Sequence, residues 1–341
     1  MIKKTPLLGK RLEELQELMV ELGQPRFRGR QLSEWLYQKR ASSFEEMSNL
    51  PKAVRQQLDD QYTIGRTAPR LTQVSKDGTE KYLFPLLSNS DLLFETVHIP
   101  EGDRATLCVS SQVGCKMNCS FCATGKMGWS ANLTATDIIN QVLSVPHSDQ
   151  LTNLVFMGMG EPMDNYEEVV RVIDILTSDY GLGWSPKRIT VSTIGVESGL
   201  RRLLEETNVH IAISIHNAIP EERLRLMPVE KAFPIDGVIR LLRRYDFSGQ
   251  RRLSFEYILF DGVNDSKTHA DRLISLLRPL DCRVNLIRYH AIPGLPYSTP
   301  AQERVEDFER YLNDKGLRTT TRRSRGEDIS AACGMLSTQQ K

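Results

Sequence analysis

The sequence predicts an α/β fold, a partial (β/α)6 barrel behind a small helical N-terminal accessory domain. Three observations lead there. From Ala105 onward, apolar strand-like segments alternate with amphipathic helix-like ones, the pattern of βαβ units around a parallel sheet. The preceding region carries helical patterns without that alternation. The chemically unusual residues fall just after the strand-like segments, where α/β folds gather their chemistry. Six units rather than eight indicate a partial barrel; an open doubly wound sheet is the alternative.

In chain order, LEELQELMVELG is a short amphipathic helix that Gly23 ends. PRFRGRQLSEWLYQKR begins a second helix, with Arg26, Arg28, Arg30, Lys39 and Arg40 along it. SFEEMSNL opens with S-x-x-E, a capping-box pattern that predicts another helix start, and Pro51 begins a helix over PKAVRQQLDDQY. KDGTEKYLFPL and DLLFETVHIP read as two strands of a hairpin. Residues 1–94 are therefore assigned to the accessory domain with its small hairpin, and residues 95–341 to the barrel. The barrel strands are ATLCVSS, LTNLVFMG, RITVSTIG, VHIAISIH, RLSFEYILF, CRVNLIRYH and LRTTTRRS. Between them lie the helical segments TATDIINQVLS, YEEVVRVIDILTS, PIDGVIRLLRRYD, SKTHADRLISLLRPL and AQERVEDFERYLND.

The composition bounds the function. The 341 residues are 40% hydrophobic and 26% charged, ordinary for a globular protein. No apolar run approaches the roughly 20 residues of a bilayer span, and the N-terminus has no apolar signal segment. A cytoplasmic protein without membrane contact is expected. The net charge of +1 argues against a simple basic coat for nucleic acid but leaves room for a local basic face. Six cysteines do not form a disulfide-scaffold pattern in a chain this long.

Three of those cysteines, Cys115, Cys119 and Cys122, fall in GCKMNCSFCATGKMG at C-x3-C-x2-C spacing. A structural zinc site takes four ligands in paired C-x2-C units, and no second pair exists here. A ferredoxin-type cluster also takes four cysteines; Cys108 is a candidate fourth, although it lies in a strand pattern. The third option is a [4Fe–4S] cluster with three protein ligands and one iron open to a small molecule.

The form C-K-M-N-C-S-F-C after the first barrel strand resembles the radical S-adenosylmethionine (SAM) enzymes. The resemblance implies that the open iron binds SAM and that reductive cleavage yields a 5′-deoxyadenosyl radical. Further along, ETVHIP, RATLCVSSQVGCKMNCSFCATG, FMGMGEPMDN, SPKRITVSTIG, LMPVEKA, GVNDS, VNLIRYHAIPG and SRGEDISAACGML follow in order. This succession resembles the RlmN/Cfr family of radical SAM RNA methyltransferases over nearly the whole chain. That family methylates adenosine in RNA at carbon 2 (RlmN) or carbon 8 (Cfr).

Carbon 2 of adenine is electron-poor and does not attack the methyl of SAM, whereas a thiolate does. The resemblance implies that Cys333, in AACG, takes the methyl from one of two SAM molecules used per turnover. After hydrogen abstraction, its carbon adds to the adenine as a protein–RNA adduct. Cys108 then releases the product by attacking the Cys333 sulfur, which leaves a disulfide. Glu95 of ETVHIP is implied as the proton acceptor, and Cys108 is an alternative. The SAM pocket is implied at Gly158, Gly160 and Glu161, at Ser192, at Ser214–Ile215–His216, and at His290. His290 stands where relatives commonly carry asparagine, and Ser330 and Met335 depart from the family pattern D-I-D-A-A-C-G-Q-L. Cys282 reads as a core residue.

Implied partners are 23S rRNA, tRNA and a flavodoxin-type reductant, and the expected state is a monomer. Arg26, Arg28, Arg30, Lys39, Arg40, Lys52 and Arg55 form a candidate phosphate-facing surface. MGMGEP, with Pro162, favours the carbon-2 reading. Carbon-8 methylation of the Cfr type is the near alternative; an electron-transfer protein and an RNA-binding protein with a structural cluster are more distant ones.

Overall fold

A computed structural model describes residues 4–249 and 251–338. The N-terminal region holds β1 (Thr5–Pro6), α1 (Leu12–Glu21), α2 (Arg28–Ser33), α3 (Lys52–Gln61) and β2 (Tyr62–Thr63). α2 runs on into a π-helical turn, Glu34–Gln38, in which the Lys39 N–H reaches the Glu34 carbonyl. The S-x-x-E pattern does not start a helix. Glu46 accepts the backbone N–H groups of Ser42 and Ser43 and the Ser43 hydroxyl, and the chain stays in turns until Pro51 caps α3. The carboxylate satisfies those donors locally, so they direct a loop.

Three antiparallel strands follow, β3 (Leu71–Val74), β4 (Glu80–Leu86) and β5 (Asn89–Glu101). β4 and β5 form the expected hairpin, with Tyr82 opposite Thr96 and Phe84 opposite Phe94. The hairpin does not stand apart: β5 pairs onward with β6 (Arg104–Cys108), so residues 94 and 95 lie inside one continuous strand.

From β6 the chain builds the barrel. A small ribbon, β7 (Gln112–Gly114) with β8 (Trp129–Asn132), brackets α4 (Ala123–Lys126). Then come α5 (Ala135–Ser144), β9 (Asn153–Phe156), α6 (Tyr166–Thr177), β10 (Ile189–Thr193), α7 (Glu197–Glu206) and β11 (His210–Ser214). They are followed by α8 (Pro220–Leu226), α9 (Ile235–Leu242), β12 (Leu253–Leu259), α10 (Lys267–Leu277), β13 (Arg283–Arg288), α11 (Gln302–Asp314) and β14 (Thr319–Arg322). The sheet order is β14-β13-β12-β11-β10-β9-β6-β5-β4-β3, parallel from β14 through β6. The result is six βα units completed by a seventh parallel strand, and the ends β14 and β3 do not pair.

Helix starts follow the local chemistry. Thr134 and Asp137 exchange side-chain and backbone hydrogen bonds at the start of α5, and Ser266 accepts from His269 N at the start of α10. All seven residues of β12 are buried, as a strand covered on both faces requires. One hydrophobic core runs from Leu7, Leu15, Leu36 and Leu58 of the N-terminal helices into the barrel layer. Thr136 donates to the Leu8 carbonyl at 2.7 Å, and Arg11 meets Asp174 at 3.2 Å. The N-terminal region is thus tied to α5 and α6. Among the described residues no helix is long and apolar enough to cross a membrane.

Candidate active site

Parallel strands bring their C-terminal ends to one rim, and the loop after β6 lies across it. Gly114 shows why that loop begins with glycine. Its φ is +77°, and a Cβ there would stand 1.8 Å from the Gly128 carbonyl oxygen, whose acceptor is used by the Cys115 N–H at 2.9 Å. Farther along, Ser120 N–H donates to the Leu226 carbonyl at 2.8 Å, which ties the loop to the end of α8.

Cys115, Cys119 and Cys122 all face one cavity of about 180 Å³. Burial pushes the Cys115 thiol up to about 12 and also raises Cys119 and Cys122; the neighbouring cysteines raise Cys119 further. Among the described residues, no three histidine, cysteine or acidic side chains are gathered to hold a metal ion. The three thiols therefore surround a space and do not converge on a point.

The opposite wall contains Gly158, Gly160, Glu161, Ser192, Ser214 and His216. At Gly160 φ is +101°, and a Cβ would stand 2.6 Å from the Gln112 Cβ, so glycine lets the backbone line the space. Glu161 is buried and accepts from Thr193 Oγ1 at 2.5 Å, Ile194 N at 3.0 Å and Met163 N at 3.1 Å. Burial raises its pKa to about 7 although those donors pull it down. His216 has φ +52°, and its Nδ1 accepts the Ile258 N–H at 3.0 Å, so the neutral ring carries its proton on Nε2. Burial, then Arg223, holds that ring neutral by lowering its pKa to about 3.

Two expected residues stand apart. Ile215 is fully buried in the core; its N–H donates to the Glu256 carbonyl at 3.1 Å, and its carbonyl receives Arg223 Nε and Asn217 N–H. His290 is bonded to Ser324 Oγ and lies 3.2 Å from Glu327. It lines a second cavity, not the one with the three cysteines.

Cys108 and Cys333 face the first cavity too. Both are free thiols, as is each of the six cysteines, and Cys282 is buried in the core as expected. Cys333 is open to cavity space while protein surrounds it. That enclosure raises its pKa, and Arg322 pulls it down. Burial likewise pushes Cys108 up to about 12 against the pull of Arg322. Arg322 reaches Glu256 Oε2 at 3.4 Å from the end of β14. Neither Arg322 nor Glu256 was among the expected site residues. A carboxylate in the middle of the apolar SFEYIL strand was the available signal, but its partner lies 66 residues away.

The second cavity, of about 810 Å³, fills the barrel lumen below the rim. Cys333, Arg322, Glu256 and Met157 line both cavities. Cys333 thus belongs to the wall between them.

The segment that carries Cys333 is clasped at several points. Asp328 accepts from Ser75 Oγ at 2.5 Å, and Gly326 N–H donates to Asp77 Oδ2 at 3.0 Å, so the chain after β14 is tied to the β3–β4 turn across the open side of the sheet. Past Cys333, Ala123 N–H donates to the Gly334 carbonyl at 2.8 Å and Thr124 Oγ1 to the Leu336 carbonyl at 2.6 Å. Glu95 completes the clasp. Its Oε2 accepts the Ser337 N–H at 2.9 Å, and its Oε1 pairs with buried Lys81 at 3.1 Å. Glu95 does not line the cavity that Cys108 and Cys333 share.

The expected RNA face of the N-terminal helices is largely engaged within the protein. Arg30 pairs with Asp179 at 2.9 Å, Arg40 bonds Ser148 at 2.8 Å, Arg26 bonds Gln16 at 3.0 Å, and Arg55 bonds the Glu45 carbonyl at 2.5 Å. Arg28 contacts Gln31 and Asn49, and Lys39 lies 3.9 Å over the Trp35 ring. Lys52 is exposed.

Residues 5–64 match the family model described as ribosomal RNA large subunit methyltransferase N-terminal domain, and residues 109–273 match that of the radical SAM superfamily. The chain is 55% identical over 341 residues to a "probable dual-specificity RNA methyltransferase RlmN" of Bacteroides thetaiotaomicron, covering 100% of this chain and 98% of that one. It is 42% identical over 328 residues to the dual-specificity RNA methyltransferase RlmN of Geobacter sulfurreducens, covering 96% and 91%. A crystal structure of a radical SAM methyltransferase from Sphaerobacter thermophilus superposes with a TM-score of 0.92 at 41% identity, covering 98% of this chain and 100% of that one.

Proposed function

The chain belongs to the RlmN family of radical SAM RNA methyltransferases, and from that premise we propose that it methylates carbon 2 of adenosine in 23S rRNA, and in tRNA beside the anticodon, by relaying the methyl through Cys333. The observation that supports this reading best is the shared cavity of Cys333, Cys108 and the three-cysteine loop.

The donor set fits the cluster. Cys115, Cys119 and Cys122 surround a space without forming a single-ion site, as ligands on separate irons must. When bound there, a [4Fe–4S] cluster with SAM at its open iron supplies a 5′-deoxyadenosyl radical. Gly158 and Gly160 give room for SAM backbone contacts, while Glu161, Ser192, Ser214 and His216 offer hydrogen-bonding groups to its polar end.

Cys333 accepts the methyl as a thiolate, and the neighbouring Arg322 guanidinium favours that charge. Once the Cys333-borne carbon has joined the adenine, Cys108 attacks the Cys333 sulfur. The S–S bond forms as the S–C bond breaks, the pair of the broken bond passes to the freed carbon, and a proton taken up there completes the methyl group on the released RNA. Cys108, which lines the cavity, is one candidate to take the proton from adenine, acting as a thiolate, and Glu95 is the other. For Glu95 to serve instead, its carboxylate has to leave the Ser337 N–H. In the clasped state Glu95 holds the relay segment in place.

The test is an anaerobic reaction of cluster-loaded protein with reductant, methyl-labelled SAM and 23S rRNA or tRNA, read by mass spectrometry of the digested RNA. Wild type is expected to give 2-methyladenosine, Cys333→Ala none, and Cys108→Ala a trapped protein–RNA adduct. An 8-methyladenosine product would keep the relay and move the site on the base. SAM cleavage with unlabelled RNA would reject the substrate.

A further inference from the structure

The lumen cavity has a basic mouth at the N-terminal ends of the strands, far from the cysteine loop. Arg104 opens β6, Arg252 precedes β12, Arg283 opens β13 and Arg318 precedes β14, and all four line the lumen. Just outside, an adjoining hollow of about 460 Å³ is lined by five basic side chains, including Lys187 and Arg251, and one carboxylate, Asp281.

Arg318 pairs with Asp281. The side chains of Arg104, Arg252 and Arg283 have no hydrogen-bond or ion-pair partner among the described residues. Burial, then repulsion from Arg283 and Arg104, lowers the pKa of Arg252. His210 at the same mouth is pushed down to about 4 by burial and by Arg252, Lys187, Arg283 and Arg251. The other acidic groups in the lumen are spoken for: Glu101 meets Arg325 at 3.6 Å, and Glu256 meets Arg322. Like charges gathered in a concave space without counter-charge make a site for an anion. The inner end of that space is the Cys333 wall.

We propose that RNA enters through this mouth as a single strand, its phosphates held by Arg104, Arg252 and Arg283, and that the target base extends up the lumen to Cys333. This rests on the methyltransferase reading above and names where its substrate binds. The strand from Arg283 to Ile287, which flanks Cys333 at the inner end, spans about 13 Å. A base taken out of its stack is what such a channel accepts. The reactants then approach Cys333 from opposite sides: SAM from the rim, RNA from the lumen.

The test is fluorescence anisotropy of a labelled stem–loop RNA with an adenosine in its loop, titrated with the full-length protein over a range of salt. The double variant Arg252→Ala/Arg283→Ala is expected to bind at least about tenfold more weakly, with the slope of log affinity against log salt smaller by about 1.4, or about 0.7 per lost phosphate contact. Arg252→Lys/Arg283→Lys, which keeps the charge, is expected to recover most of that slope. Wild-type affinity and slope in the alanine variant would overturn the proposal, as would equal losses in the alanine and lysine variants. Failure of the parent reading shows separately, as a wild-type enzyme that cleaves SAM yet neither binds nor labels RNA.

Discussion

The two cavities that meet at Cys333 are built of opposite chemistry. The rim cavity is walled by thiols, small hydroxyls, glycines and a buried glutamate, and its polar atoms are mostly held by neighbours. The lumen is walled by arginines, and among the described residues those at its mouth have no anionic partner apart from Asp281 on Arg318. The first is preorganised for a small molecule of fixed shape. The second is an electrostatic funnel, tolerant of shape and demanding of charge. The difference teaches what the proposed relay would need of one residue: Cys333 lines both a pocket of small polar groups and a charged channel.

The rim should be easier to break by disrupting its scaffold than by altering net charge. Arg223 is fully buried and pairs with Glu230 while donating to the carbonyls of Ile215, Ser214 and Ile194 at the ends of β10 and β11. Arg223→Ala leaves Glu230 buried without its partner, and a loss of about 3–5 kcal/mol is expected in chemical denaturation. An unfolding midpoint equal to wild type would show that the rim does not depend on this pair.

Salt separates the two cavities next. With three phosphate contacts in the lumen, raising salt from 50 to 200 mM weakens RNA binding about 20-fold. SAM binding at the rim should change less than about twofold over the same range. Equal salt dependence by calorimetry would remove the contrast.

Gly160→Ala is smaller in energy but local to the rim. The positive φ and the 2.6 Å approach to Gln112 predict about 1–3 kcal/mol of destabilisation, with weaker SAM affinity and unchanged RNA affinity. RNA affinity falling in step with SAM affinity would argue for one continuous site.

The smallest expected effect belongs to the mouth. His210 has a folded pKa of about 4, below its ordinary value near 6.5. Its neutral form is the one the fold favours, so its contribution to stability is present above about pH 6.5 and lost as pH falls toward 4. His210→Gln should flatten the unfolding midpoint over that window by a few degrees.

How far the sequence reached follows from the range of each interaction. The seven parallel strands were legible because apolar periodicity is local: RITVSTIG contains β10, VHIAISIH contains β11 and RLSFEYILF contains β12. The three-cysteine loop was legible because its spacing is short, and the shared cavity of Cys108 and Cys333 followed a motif resemblance that spans the chain. What was not legible depends on partners far apart in sequence. The S-x-x-E at Ser43 fits a capping box, yet Glu46 satisfies the turn and no helix follows. Glu95 was expected as the proton acceptor, and nothing local in ETVHIP announces its partners Lys81 and the Ser337 N–H. His290 sits in a family-like segment but bonds Ser324 and Glu327 beside the lumen. The arginines of the N-terminal helices are visible as a run in sequence, whereas the cations of the mouth come one each from separate strand starts and make no cluster in sequence.

The relay through Cys333 is tested most directly by following a labelled methyl group on the protein itself. Cluster-loaded enzyme would be incubated with methyl-deuterated SAM and reductant, and the peptide containing Cys333 analysed by mass spectrometry before and after RNA is added. The label should appear on Cys333, then fall as labelled 2-methyladenosine rises, with Cys333→Ala giving neither. Labelled RNA from the Cys333→Ala enzyme would contradict the relay, and the methyl would have to reach adenine by a route that does not use the wall between the two cavities.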